Sequence, residues 1–144
     1  MNFKIFFVLV LFSIISTEIL AEEPVSSLKL IVKGLKNDKG VVRIALNNSK
    51  TNYDSYHDVF MGGSAKISNN TAEYVFDNIP TGIYAIKVFH DEDNNETLNT
   101  NFLGIPVEDY GFSNNAKTLI GIPSWDKAKF TVSTGGNEII IKIN

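Results

Sequence analysis

Residues 90–113 read HDEDNNETLNTNFLGIPVEDYGFS and form the stretch around which the rest of the chain is organised. The stretch contains six acidic side chains and neither Lys nor Arg. These acids are Asp91, Glu92, Asp93, Glu96, Glu108 and Asp109. Like charges at this density need an offset from water, from a partner or from a bound cation. The sequence therefore predicts a polar loop that interacts with solvent or with a cation.

The spacing of oxygen-bearing side chains in this stretch is that of a cation-binding loop. Oxygens recur at every second residue of one segment, which comprises Asp91, Asp93, Asn95, Thr97 and Asn99. Ca²⁺ takes about six to eight oxygen ligands, and a loop curled around an ion directs alternate residues inward. Glu108, which follows a turn at residues 104–106, adds a late carboxylate. These six residues are the predicted Ca²⁺ ligands. The alternative is a solvated turn whose Asp and Asn side chains cap their own backbone.

Short strands are predicted on both sides of the acidic stretch, because apolar and polar residues alternate there. The predicted strands are residues 28–33, 41–46, 64–68, 72–76, 83–89, 129–133 and 138–143. Turn residues at 37–40 predict a β-hairpin between the first two strands, and Asn69–Asn70 joins the next two. The pattern predicts an all-β domain, an antiparallel β-sandwich of about seven strands, and it does not specify the strand order.

The N-terminus has the pattern of a secretory signal peptide. Lys4 is followed by an apolar run over residues 5–15 and by a small-residue exit that ends at Ala21. We expect cleavage after Ala21, which gives a signal peptide at residues 1–21 and a single domain at residues 22–144. The alternative is a membrane anchor, but the apolar run of about 11 residues is short of the roughly 20 that span a bilayer. The protein is therefore expected to be exported, to the periplasm or the extracellular space, without a membrane span after cleavage.

Composition limits the classes of partner and of stabilisation. The chain has 144 residues, a net charge of −3 and no cysteine. An acidic balance gives no support for nucleic-acid binding, which needs a basic footprint. The absence of cysteine excludes disulfides and thiolate metal sites. We expect one globular domain held by its core and by a metal-bound loop, with any partner at the cell surface or in the envelope.

Loop aromatics offer a second kind of site. Tyr53, Tyr56, Tyr110 and Trp125 are candidates for a carbohydrate- or peptide-binding surface, because such rings join an apolar body to a polar tip. The alternative is that they plug the ends of the sandwich.

Catalytic motifs are absent from the sequence. His57 and His90 are its only histidines, and no nucleophile motif frames a serine. The sequence therefore predicts a non-catalytic protein, with an uncharacterised hydrolase as the less favoured reading, and it does not indicate zinc.

Several segments together resemble the domain-of-unknown-function family 2141 of bacterial exported proteins. They are HDEDNN at residues 90–95, LNTN at 98–101, GIPVEDYGFSNN at 104–115, IPTGIYA at 79–85 and PSWDKAKF at 123–130. The resemblance covers about residues 27–143. It implies an exported β-sandwich, transthyretin-like or immunoglobulin-like, without an assigned activity. The chain ends IKIN, so the activity of the hydroxyisourate-hydrolysing transthyretin relatives, which needs a different C-terminal tail, is not implied.

The acidic motif of the family falls on Asp91, Asp93, Asn95, Asn99 and Glu108 of this chain. This chain departs from the family pattern at two positions. Asn99 stands where Asp is commoner, which removes a charge, and Glu96 stands where Gly is commoner, which crowds a turn.

Overall fold

The computed structural model describes residues 24–55 and 57–143. The predicted signal peptide and the candidate Tyr56 lie outside the described residues. The described residues form eight strands: β1 (Val25–Lys33), β2 (Val41–Asn47), β3 (Met61–Ser68), β4 (Thr71–Pro80), β5 (Gly82–Asp91), β6 (Tyr110–Phe112), β7 (Phe130–Val132) and β8 (Asn137–Lys142). Two short helices, α1 (Lys50–Asp54) and α2 (Trp125–Ala128), and a 3-10 turn (Ser113–Asn115) complete the described elements. The all-β prediction is confirmed.

The strands form one continuous sheet that curls almost into a barrel. Its order is β6-β5-β2-β3-β4-β1-β8, and β7 pairs with the first residues of β5. Strand β3 joins the two halves, because residues 61–66 pair with β2 and residues 67–68 pair with β4. The end strands come into contact: a Cβ added to Gly111 of β6 would lie 2.9 Å from a methyl carbon of Ile141 of β8. The architecture is therefore not a plain two-sheet sandwich.

Two predictions about strand pairing are wrong. β1 and β2 do not form a hairpin: β1 pairs with β4 and β8, whereas β2 pairs with β3 and β5. The sheet is also not wholly antiparallel, because β1 and β8 run parallel. The alternation of apolar residues specifies which face of a strand is buried, but it does not specify which strand is its partner.

The turn residues at 37–40 instead join the two halves of the sheet. Asp38 accepts hydrogen bonds from the N–H groups of Asn69 and Asn70 at 2.9 and 2.8 Å. Asn69 and Asn70 form the predicted β3–β4 turn and both have left-handed backbone, with φ of 52° and 58°. Asn tolerates this conformation better than most residues, so the Asn–Asn pair favours a tight hairpin turn. The two turns thus stabilise each other across the end of the sheet.

The core is formed by the alternating faces that the sequence predicts. Leu28, Leu30 and Val32 of β1 are fully buried or nearly so. They pack with Ile143, which follows β8, and with the inward residues of the other strands, which include Val42, Ile44, Leu46, Ile86, Val88 and Ile141. Among the described residues, no helix is long and apolar enough to cross a membrane.

The core strands bring the acidic residues to one end of the sheet. Asp91 is the last residue of β5 and lies opposite Val41 of β2. The link from β1 to β2 packs tightly against this point. Gly40 has φ of 63°, and a Cβ there would lie 1.9 Å from the carbonyl oxygen of Asp91. The glycine therefore lets the link approach the start of the acidic segment closely.

Candidate cation site in the acidic loop

Residues 91–108, called the acidic loop below, begin and end at a buried carboxylate. Asp91 is fully buried and Glu108 is 7% exposed. A buried charge is costly unless it is paired and hydrogen-bonded, so the partners of these two groups determine the conformation of the loop.

Asp91 accepts three hydrogen bonds. Its Oδ1 accepts from the N–H of Asn95 at 3.0 Å, and its Oδ2 accepts from the N–H of Glu96 at 3.1 Å. Oδ2 also accepts from Nε of Arg43, on the neighbouring strand β2, at 2.8 Å. This carboxylate therefore fixes the first turn of the loop and satisfies a cation that the sheet brings to it.

Glu108 performs the same task from the other end. Its Oε1 accepts from the N–H of Glu92 at 3.0 Å and its Oε2 from the N–H of Asn99 at 2.9 Å. A short hairpin lies between, because the N–H of Val107 donates to the carbonyl of Asn99 and Thr100 bridges to Pro106. The late carboxylate that the sequence singled out thus binds residues from the beginning and the middle of the loop.

Asp93 adds a third carboxylate, which is exposed. Its Oδ2 accepts from the side-chain amides of Asn95 and Asn99 at 3.0 and 2.9 Å. One oxygen from each of Asp91, Asp93 and Glu108 lies within 4.8 Å of the others. Three of the six predicted ligands therefore come together as charged groups.

The amide and hydroxyl candidates take part chiefly in bonds within the loop. Asn95 donates its amide to Oδ1 of Asn99 at 2.7 Å, and its own Oδ1 accepts from the N–H of Thr97 at 2.8 Å. These are the local side-chain-to-backbone bonds of an Asx turn. The loop therefore combines the two arrangements that the sequence left open: a self-capping turn and a convergence of carboxylates.

The ionisation of Asp91 is favoured despite its burial. Burial alone would raise the pKa of its carboxyl group, but the Arg43 guanidinium and the N–H groups of Glu96 and Asn95 together lower that pKa below its ordinary value. The group is therefore charged at neutral pH.

Two residues other than glycine in the loop have left-handed backbone, Asn94 with φ of 58° and Glu96 with φ of 66°. Asn accommodates this conformation, whereas a residue with a longer side chain pays for it in strain. The departure of Glu96 from the glycine of the family pattern thus falls at a position where glycine is the easier residue. Glu96 gains an ion pair there, with its carboxylate 3.2 Å from Nη1 of Arg43.

Sequence reasoning missed the cations of this region and the pairing of Asp109 with one of them. Arg43 was visible only as a polar residue on β2, and its pairing with Asp91 needs the β2–β5 register. Asp109 is buried and its Oδ1 accepts from Lys36 at 2.7 Å. His90 is fully buried, and its Nε2 lies 2.7 Å from the carbonyl of Lys39. Because a carbonyl only accepts, Nε2 carries the proton, which assigns His90 to the packing between the loop and the β1–β2 link.

The aromatic candidates are divided between core and surface. Tyr53 is fully buried and contacts Trp125 edge-on, with ring centroids 5.8 Å apart. Burial, together with the nearby Asp54 carboxylate, raises the pKa of Tyr53 to about 12. Tyr110 is 38% exposed and packs against Phe112. Trp125 is half-buried, so Tyr110 is the most exposed of the candidates within the described residues.

Because Asp91 is charged in the folded protein, replacing it with a neutral residue should lower the stability by an amount that depends on pH. A carboxyl whose folded-state pKa is lowered contributes stability above its unfolded pKa, and that contribution is lost as the pH falls through the folded pKa. At pH 7 we expect Asp91→Asn to lower the free energy of unfolding by about 1.5–3 kcal/mol, the range for a hydrogen bond to a charged group. Urea unfolding in chelator should show the difference shrinking below about pH 4. An equal difference at pH 7 and pH 3 would contradict this assignment.

The backbone strain at Glu96 predicts an order of stability for two substitutions. Both Glu96→Gly and Glu96→Ala remove the exposed ion pair with Arg43, but only glycine relieves the left-handed backbone. We expect the glycine variant to be more stable than the alanine variant by about 1 kcal/mol. Chemical unfolding of the two variants side by side measures the difference, and an alanine variant of equal or greater stability would show that the backbone here is unstrained.

Comparison with known proteins gives one match. No curated protein and no solved structure matches the chain. A family model matches residues 30–140, a range that includes the whole acidic loop and most of the sheet. That family is described as "Uncharacterized protein conserved in bacteria (DUF2141)". Because the match spans most of the sequence, this chain belongs to the bacterial family DUF2141.

Proposed function

We propose that the protein is an exported, non-catalytic β-domain whose acidic loop binds Ca²⁺. The observation that carries the proposal is the convergence of the Asp91, Asp93 and Glu108 carboxylates, with one oxygen of each within 4.8 Å of the others. Oxygens that share one Ca²⁺ at about 2.3–2.6 Å from it lie at most about 5 Å apart, so this separation is compatible with a common ion.

The hydrogen bonds already made by these carboxylates leave room for an ion. An ionised carboxylate oxygen has two lone pairs, and Oδ1 of Asp91 and both oxygens of Glu108 each accept one bond from a backbone N–H. Each can therefore hold the loop and ligate a cation at the same time. The three charged candidate ligands offer only oxygen atoms, which are the ligand atoms that Ca²⁺ takes. Ca²⁺ also accepts a variable number of ligands in irregular geometry, whereas Mg²⁺ requires a regular octahedron.

The role of the ion would be structural. The two buried carboxylates stand at opposite ends of the loop, which the β5–β6 pairing already brings together. An ion that they share with Asp93 would fasten the exposed part of the loop to that end of the sheet. An affinity of about 10⁻⁴–10⁻³ M is usual for extracellular calcium modules. That range fits the export predicted by the N-terminus.

For the fold, we propose that the curled sheet is a variant of the transthyretin-like sandwich implied by the sequence resemblance. The hydroxyl of Tyr84 on β5 donates to the carbonyl of Pro80 at 2.7 Å, across the β4–β5 turn. A tyrosine that bonds back to the backbone a few residues upstream is a feature of immunoglobulin-like sandwiches.

The alternative function is a carbohydrate- or peptide-binding surface that uses loop aromatics. Tyr110 supports it by its exposure. The burial of Tyr53 removes that ring from such a surface.

Calcium binding predicts a rise in thermal stability. With a Kd of about 0.1 mM, Ca²⁺ at about 2 mM stabilises the native state by about 1.8 kcal/mol. For a domain of this size the melting temperature should rise by several degrees after chelator treatment and Ca²⁺ addition. Asp93→Asn should reduce that rise to less than half, because it removes the exposed carboxylate while its oxygen can still accept hydrogen bonds.

Two controls isolate the site. Asp77 is an exposed acid on β4, outside the loop, so Asp77→Asn makes the same change of charge and should keep the full rise. Mg²⁺ at equal concentration tests for a general effect of divalent charge. No rise with Ca²⁺ in the wild-type protein, or a full rise in Asp93→Asn, would refute the calcium proposal.

A further inference from the structure

A second charged region lies at the seam where the end strands β6 and β8 meet. Two neighbouring depressions share Asn115, Lys117 and Lys142. One has a volume of about 190 Å³ and is also lined by Tyr110. The other is also lined by Lys33. The seam shares β6 with the acidic loop, which connects β5 to β6, but it contains no residue of that loop.

The charge of this seam is opposite to that of the chain as a whole. Three lysines line it, and no carboxylate does among the described residues. None of Lys33, Lys117 and Lys142 forms an ion pair within the described part of the chain, although the protein has a net charge of −3. Exposed acids are numerous in this protein, so the lack of any beside these three lysines calls for a physical reason.

The register of the parallel β1–β8 ladder places two of these lysines opposite each other. Along one face of this ladder the opposed residues are Lys29 with Glu138, then Ile31 with Ile140, then Lys33 with Lys142. The first pair is complementary in charge and the second is apolar. The third sets two like charges directly opposite each other, which destabilises a sheet. A local rule that is broken without compensation inside the protein is characteristic of a functional site.

A neutral donor and an aromatic surface accompany the lysines. Oδ1 of Asn115 accepts from the N–H of Lys142 at 2.8 Å, which fixes the side chain beside the strand. Its amide NH₂ has no partner among the described residues, and so it remains a donor at the seam. Tyr110, which is 38% exposed, provides ring surface in the first depression.

We propose that this seam binds the phosphate group of an organic ligand, with the body of the ligand against the Tyr110 ring. Lys ammonium groups bind phosphate as point charges, and the Asn115 amide adds a donor. A phosphate monoester carries about −1.5 to −2 charges at pH 7, which offsets the three lysines better than a single carboxylate does. The site is independent of the calcium proposal, since it shares no residue with the acidic loop.

Lys142→Glu is the decisive variant. It converts the like-charged pair with Lys33 into a complementary one, so the variant should be at least as stable as the wild type while it loses the anion. Phenyl phosphate and inorganic phosphate serve as probes in titrations followed by NMR. We expect saturable binding of phenyl phosphate, tighter than that of inorganic phosphate, and a loss of affinity of about tenfold or more in Lys142→Glu, as follows from losing a charge-assisted hydrogen bond.

A matched control and a second arm complete the test. Lys66 is an exposed lysine on β3, so Lys66→Glu makes the same change of charge and should leave the affinity unchanged. Vesicles of phosphatidylglycerol in phosphatidylcholine test a lipid headgroup as the source of the phosphate. Vesicle binding that is lost in Lys142→Glu supports the site with a lipid ligand, and binding of phenyl phosphate alone supports it with a soluble one. No saturable binding in either arm, or equal losses in Lys142→Glu and Lys66→Glu, would overturn the proposal.

Discussion

The buried carboxylate of Asp91 is the constraint on which the acidic end of the molecule depends. It stands at the last residue of β5, where the core strand becomes the loop, and it has no exposed surface. Its charge must therefore be satisfied from within, and three groups do so: the Arg43 guanidinium from β2 and the N–H groups of Asn95 and Glu96 from the loop. The sheet thereby influences the conformation of the loop, because the β2–β5 register places Arg43 beside the Asp91 carboxylate. Breaking such a pair leaves an uncompensated buried charge, which costs more than a surface ion pair contributes.

The same end of the sheet carries more negative charge than its internal partners offset. Arg43 and Lys36 contact Asp91, Glu96 and Asp109, whereas no ion pair with Asp93 or Glu108 is present among the described residues. A divalent cation between Asp91, Asp93 and Glu108 would offset this excess and fasten the exposed Asp93 to the two buried ends of the loop. At the seam between β6 and β8 the imbalance has the opposite sign, with three lysines that form no ion pair within the described part of the chain. Both regions lie at the ends of strands: Asp91 is the last residue of β5, and Lys33 and Lys142 are the last residues of β1 and β8. Binding residues are often found where strands pass into loops.

The sequence predicts the buried faces and the loop carboxylates, but it does not predict which strands pair. The alternation of residues such as Leu28, Leu30 and Val32 identifies buried faces correctly, because burial depends on local period. The alternation does not identify the partner of each strand. The predicted β1–β2 hairpin is therefore wrong, and the parallel β1–β8 pair is not predicted. The carboxylates that converge are predictable because they lie in one loop: Asp91 and Asp93 by their alternate spacing, and Glu108 as the acid that follows the turn at residues 104–106. Their partner Arg43, and the opposition of Lys33 to Lys142, depend on register between strands distant in sequence, which spacing does not contain.

The most direct test of the account is a Ca²⁺ titration of the chelator-treated protein, followed by the backbone amide signals in ¹H–¹⁵N NMR spectra. The amides of Glu92, Asn95, Glu96 and Asn99 donate to the Asp91 and Glu108 carboxylates, so they report directly on those oxygens. The account predicts saturable shifts concentrated at these four amides, with amides on β4 and β8 unaffected. Shifts that are absent, or that grow without saturation at exposed acids across the surface, would contradict a cation site in the acidic loop.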